Sequence, residues 1–226
     1  MDKYEITNRI EKFAPLETQE AWDCSGWGVN VLGHNEVFKV MLCLTVTDDI
    51  IKQAKEQNCD MIISHHPLFE VPIAWKDINI YCSHTNMDLA NGGTTDVLIN
   101  SLNLKVSESN SFLRYVDIEI SVEDFVRQLR KSFPNMRYVN NRNTKILKRI
   151  AFCAGSGSEF INDAFENGAD AYVTGDLKFH TALESPLVLF DVGHFESEIM
   201  ILDVFKELVG SGVEVFVADE RSPFIY

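Results

Sequence analysis

Val37-Phe38-Lys39-Val40-Met41-Leu42-Cys43-Leu44-Thr45-Val46 is a largely apolar run whose Val, Phe and Leu content reads as a strand buried on both faces. Thr47-Asp48-Asp49 follows, and a hydroxyl ahead of two acids predicts the cap of a helix running to about Gln57. Cys59 to Ser64 is a second short buried strand and Ile78 to Ser83 a third. Strands alternating with helices in this way predict βαβ units and a mostly parallel sheet. Working outward, Ile6, Ile10 and Phe13 give Tyr4–Phe13 a helical spacing that Pro15 ends, and a turn-rich stretch covers Trp22–Gly28. Downstream, Ser121-Val122-Glu123-Asp124 is a capping signature before an amphipathic helix to Arg130. Pro134 to Lys148 is polar and reads as a turn or hairpin.

The same pattern recurs. A shift of 110 positions lays Phe38–Asp88 on residues 148–198 without a gap. Cys43 falls on Cys153, Ile51 on Ile161, Ala54 on Ala164, Glu56 on Glu166 and Phe69 on Phe179. Any two βαβ units match in apolar class, because buried strands share Val, Ile and Leu. They do not match in polar positions, yet Asp60/Asp170, His84/His194 and Asp88/Glu198 pair at the same offset. The sequence therefore predicts an α/β protein of two duplicated domains, residues 1–110 with the N-terminal helix and residues 111–226, with mostly parallel sheets flanked by helices.

Composition narrows the classes. The 226 residues carry 20 Lys and Arg against 34 Asp and Glu, a net charge of −14, which argues against a nucleic-acid partner and an anionic membrane surface. No apolar run is long enough to span a bilayer. Five scattered cysteines without a CxxC pair, behind a charged N-terminus, predict free thiols and a cytoplasmic protein.

Three polar clusters fall where strands end, the place where open α/β sheets bind ligands. They are Ser64-His65-His66-Pro67-Leu68-Phe69, His84-Thr85-Asn86-Met87-Asp88 and His194-Phe195-Glu196-Ser197-Glu198. Neighbouring residues of an extended chain point to opposite sides, so His65 and His66 either serve different ions of a close pair or one of them is structural. Pro67 holds His66 extended. If the chain turns helical after each strand, His194 lies one turn from Glu198 and His84 one turn from Asp88. A capping or surface carboxylate is the alternative for Asp88 and Glu198, but the clusters together predict a metal site, and two divalent ions held by His65, His66, Asp88, His194 and Glu198 would satisfy it. Three neutral imidazoles and two carboxylates leave such a pair with net positive charge. Glu198 can bridge through its two oxygens, and the residual charge favours a hydroxide, the nucleophile of two-metal sites, or a phosphate oxygen. Imidazole with carboxylate suits Zn, Fe or Mn. Gly155-Ser156-Gly157-Ser158 follows a strand and reads either as a pair of turn glycines or as a phosphate cradle. Asp176, at the repeat position of His66, and His180, the partner of Glu70, are further candidates for substrate contact.

The sequence resembles the Ngg-interacting-factor-three-like family, also called YbgI-like and widely named GTP cyclohydrolase 1 type 2. The resemblance runs almost end to end: Trp22-Asp23 with Gly26, Ser64 to Phe69, His84 to Asp88 with Gly92-Gly93, Cys153 to Ser158, Gly168-Ala169-Asp170, Thr174-Gly175-Asp176, and Gly193-His194 with Glu198. It implies a metal pair in the cleft between two similar α/β domains. It implies His66 and Asp88 on one ion, His65 and His194 on the other, Glu198 bridging, and His84 behind the ligands. It also implies a homo-oligomer, commonly a hexamer. Cys24, Thr45 and Asp176 depart from the residues usual at their positions. Two functions follow as expectations: a metal-dependent hydrolase of a nucleotide or phosphorylated small molecule, with GTP ring opening the family's label, or a non-catalytic metal-binding scaffold, chaperone or regulatory interaction protein.

Overall fold

The computed structural model describes residues 1–224. Along the chain lie α1 (Lys3–Phe13), β1 (Gly26–Val29), β2 (Lys39–Cys43), α2 (Asp48–Glu56), β3 (Met61–Ser64), β4 (Asn79–Cys82) and α3 (Thr85–Leu89). There follow α4 (Thr94–Ser101), β5 (Glu108–Asn110), β6 (Leu113–Ser121), α5 (Val122–Ser132), β7 (Arg137–Val139), β8 (Ile146–Phe152), α6 (Ile161–Glu166) and β9 (Ala171–Thr174). The chain ends with α7 (Phe179–Glu184), β10 (Val188–Asp191), α8 (His194–Glu198), α9 (Ile201–Val209) and β11 (Glu214–Val217). Asp2, Thr47 and Ser121 open α1, α2 and α5, their side chains accepting from Tyr4 N, Ile50 N and Asp124 N, amides the first turn leaves open.

Two compact units form. The first takes Met1–Gly93 and Ile201–Arg221. Its sheet runs β1-β4-β3-β2-β11, with every pairing parallel except β1 on β4. β3 and β4 are buried along their whole length, as strands covered on both faces must be. Met41, Ile62 and Ile80 pack with Ile50, Ile51 and Trp75 in its core.

The second unit is built on Thr94–Met200. Its sheet runs β5-β6-β8-β9-β10-β7. Only β8–β9 and β9–β10 are parallel; β5–β6, β6–β8 and β7–β10 are antiparallel. The expectation of a mostly parallel sheet therefore holds for the first unit and not for the second. The cause is β6, where Val116-Asp117-Ile118-Glu119-Ile120 alternates apolar with polar, the pattern of a strand with one wet face. Residues 134–148 are likewise not a hairpin, because β7 pairs with β10 and not with β8. Phe125, Leu129, Phe152, Val173 and Phe190 form the centre of this core.

The division differs from the one expected at residue 110. The change comes at Gly93, and α9 and β11 return to the first unit, where β11 lies parallel to β2 from Glu214↔Lys39 to Val217↔Leu42. Each unit makes the same polar contacts at the 110-residue offset. Asp60 Oδ2 accepts from Phe38 N and Lys39 N at 2.8 and 2.9 Å. Asp170 Oδ2 accepts from Lys148 N and Arg149 N at 2.7 and 3.1 Å. The turn after α2 closes with Cys59 N on Ala54 O, and that after α6 with Ala169 N on Ala164 O. Among the described residues, no helix is long and apolar enough to cross a membrane, and no disulfide is present.

Candidate metal centre

In the first unit the donors stand at the ends of β3 and β4. Cys43 O, at the end of β2, and Leu44 O, just past it, accept the amides of His65 and His66 at 3.2 and 2.8 Å, which carries the sheet ladder into the histidine pair. The His65 side chain is wholly buried. Its Nδ1 lies 2.9 Å from Ser83 O, and a carbonyl only accepts, so Nδ1 carries the proton and Nε2 faces Asp88 Oδ1 at 3.4 Å. His66 Nδ1 is 2.6 Å from Thr45 Oγ1. His84 Nδ1 is 3.1 Å from Asp23 Oδ1. The three histidines each offer one ring nitrogen, and these nitrogens lie within 4.8 Å of one another. Each imidazole is thus tied at Nδ1 to an oxygen, by a carbonyl, a hydroxyl or a carboxylate, as metal-ligating histidines are.

Asp23 is the firmest of these ties. Its buried carboxylate accepts from Cys24 N, Ser25 Oγ, Thr85 N and Thr85 Oγ1 as well as standing against His84. Burial raises its pKa, but the hydrogen bonds from His84 and Thr85 outweigh it and hold the carboxyl well below the ordinary range. α3 begins right after His84, and Asp88 N closes on His84 O at 2.9 Å, so His84 and Asp88 do lie one turn apart.

In the second unit α8 sets His194 and Glu198 one turn apart, with Nε2 3.1 Å from Glu198 Oε2. His194 Nδ1 lies 2.7 Å from Asp176 Oδ2. Asp176 reaches it from a left-handed backbone conformation (φ 56°) directly after Gly175, where a Cβ would meet His194 N at 2.8 Å. Glu198 is almost fully buried and lies on Gly155, at φ +67°, where a Cβ would stand 2.1 Å from Oε1. Only glycine fits there. The Glu198 hydrogen bond, with Asp176 adding to it and burial opposing, pushes the His194 pKa up to about 9. A buried carboxylate needs a compensating positive charge, which a protonated His194 or a cation supplies.

The remaining candidates separate. The Gly155 and Gly157 amides are taken by Ser197 Oγ and Thr174 Oγ1, both at 2.9 Å, which leaves exposed Ser156 as the solvent-facing residue of that loop. Asp176 is a partner of His194. His180 is exposed on α7 with its ring against Phe179. Asp176 and His194 also line a cavity of about 230 Å³ with Phe133, Met136, Arg137 and Glu196. Sequence reasoning missed the ties themselves, Asp23, Ser83 O and Thr45 Oγ1, because nothing in local spacing links position 23 to 84 or 45 to 66.

A family model described as Duf34/NIF3 (NGG1p interacting factor 3) matches residues 1–223. The chain is 33% identical to a Clostridium perfringens protein named GTP cyclohydrolase 1 type 2 homolog, with 97% of each covered. Among solved structures it is similar to reduced HcgD from Methanocaldococcus jannaschii, with a TM-score of 0.84 at 28% identity over 97% of this chain and 98% of that one. It also shares the fold of ybgI, described as of unknown function, with a TM-score of 0.87 at 20% identity over 99% of this chain and all of that one.

Proposed function

Since the chain belongs to the Duf34/NIF3 family, we propose that it binds two divalent ions, Zn, Fe or Mn, and is a metal-dependent hydrolase of a nucleotide or another phosphorylated small molecule. In this reading the ligands are His65, His66, Asp88, His194 and Glu198. The observation that carries it is that the His65 and His66 rings, each tied at Nδ1, converge with Asp88 beside His65 and with His84, itself tied to Asp23, packed behind them. Hydrogen bonding of this kind fixes a tautomer and aims the free nitrogen, the preparation a ligand needs. The donor set, imidazole plus carboxylate without thiolate, fits the ions named.

Ions so held supply an activated water and charge stabilisation for a developing oxyanion. The protein's own residues orient the donors, keep His65 and Glu198 away from bulk water, and hold a proton on His194 until an ion arrives. The name of the relatives makes GTP the first compound to test. The repeated Asp60 and Asp170 contacts support an internal duplication; a cytoplasmic homohexamer is part of the same proposal, and light scattering of the purified protein tests the assembly.

Elemental analysis of the purified protein, of His66→Ala and of Glu198→Ala tests the centre. Two equivalents of metal in the wild type and less in both variants are expected; full occupancy in both variants rejects the ligand assignment. A screen over GTP, other nucleotides and phosphoesters then tests hydrolysis, and turnover that persists after chelation rejects the hydrolase. A non-catalytic scaffold is the second reading, favoured by the complete burial of His65. Metal at full occupancy with no turnover of any compound selects it.

A further inference from the structure

β2 and β11 pair as far as Val217↔Leu42, and Ala218 N reaches Leu42 O at 2.9 Å. There the ladder stops, while the chain of β2 runs on through Leu44 and Thr45. A side chain takes over from the missing strand: Glu220 Oε1 accepts from Leu44 N at 2.5 Å and Oε2 from Thr45 N at 3.4 Å. The segment that bears it is latched by a reciprocal pair, Gln53 Nε2 on Asp219 O at 3.0 Å and Asp219 N on Gln53 Oε1 at 2.9 Å.

The other side of the same turn faces the histidines. Leu44 O accepts His66 N, and Thr45 Oγ1 meets His66 Nδ1 at 2.6 Å. Thr45 is exposed. An exposed hydroxyl can exchange a ring partner for water at little net cost, so it fixes a ring only if its own backbone is fixed first. Glu220 provides that fixing. We propose that Glu220 is a positioning residue for the metal centre, holding the Leu44–Thr45 turn so that the Thr45 hydroxyl aims the His66 ring. This rests on the metal-binding reading above. It gives the turn a charged tie to its backbone and His66 only a neutral one to its ring, so the control of this ligand is geometric.

The test is zinc affinity, measured by competition with a chelating dye, together with the absorption spectrum of the cobalt-substituted protein and thermal unfolding of the metal-free protein. Glu220→Ala and Thr45→Val are expected to weaken one of the two ions by about ten- to a hundredfold and to alter the cobalt bands. Thr45→Ser, which keeps the hydroxyl, and Glu220→Gln, which keeps an oxygen for Leu44 N, are expected to recover most of the affinity. Wild-type affinity and an unchanged cobalt spectrum in Glu220→Ala overturn the proposal. So does a loss in Thr45→Val unaccompanied by one in Glu220→Ala. If Glu220→Ala does not fold, Gln53→Ala, which unlatches Asp219 and so the segment bearing Glu220, replaces it, and wild-type affinity with an unchanged cobalt spectrum in that variant overturns the proposal. A wild type that binds no zinc or cobalt rejects the metal-binding reading itself, whereas a two-ion wild type with indifferent variants rejects only the role of Glu220.

Discussion

A buried carboxylate that accepts several hydrogen bonds is worth more to the fold than any exposed ion pair, and Asp23 is such a group. Asp23→Ala strands the Thr85 amide and the His84 ring and is expected to cost about 3–5 kcal/mol, read by urea unfolding of the metal-free protein. Because its folded pKa is depressed, its contribution is complete above the ordinary carboxylate value and fades as the pH falls below it. His194 behaves in the opposite sense. Its folded pKa of about 9 exceeds the ordinary 6.5, so its pairing with Glu198 and Asp176 stabilises the metal-free fold fully below 6.5 and fades as the pH rises through 9. Loading metal at pH 7.5, about a unit and a half below that value, must therefore displace this proton. Zinc titrations by calorimetry in buffers of different ionisation enthalpy are expected to show about one more proton released by the wild type than by His194→Ala.

At the scale of elements, capping made the helices legible. Asp2, Thr47 and Ser121 each announce a first turn in the sequence and each makes the cap bond. Strands buried on both faces, β3 and β4, are equally plain, since Met61-Ile62-Ile63 and Ile80-Tyr81-Cys82 are unbroken runs of buried-type residues. The alternation of β6 is visible in the sequence, but the βαβ units around it predict parallel strands. β7 and β11 were beyond reach: three and four residues long, they are defined by partners far along the chain. Asp60 and Asp170, each accepting from two successive backbone amides, give an element-level test of the repeat. Asp60→Ala and Asp170→Ala are each expected to cost about 1.5–3 kcal/mol in chemical denaturation, and a large cost at one site with none at the other separates the two halves.

For the whole molecule, the residue types of the candidate centre were legible while their supports were not. His65, His66, His84 and His194 fall at strand ends and declare themselves by chemistry. The oxygens that orient them belong to residues such as Asp23, Thr45 and Ser83, whose sequence context is ordinary. The compact units divide elsewhere than the repeat offset implies, for a related reason. The boundary near residue 110 follows from the repeat offset, but the helix and strand at the end of the chain belong to the first sheet, and only a long-range pairing reveals it.

That return has a consequence for biosynthesis. The ribosome releases Ile201–Arg221 after Thr94–Met200, so the first sheet still lacks β11 when Thr94–Met200 is already available to fold. Nascent chains stalled with residues up to 200 outside the exit tunnel are expected to resist brief proteolysis over the second unit and to be cut within the first. Protease resistance of both at that length would mean that the first sheet closes without its last strand.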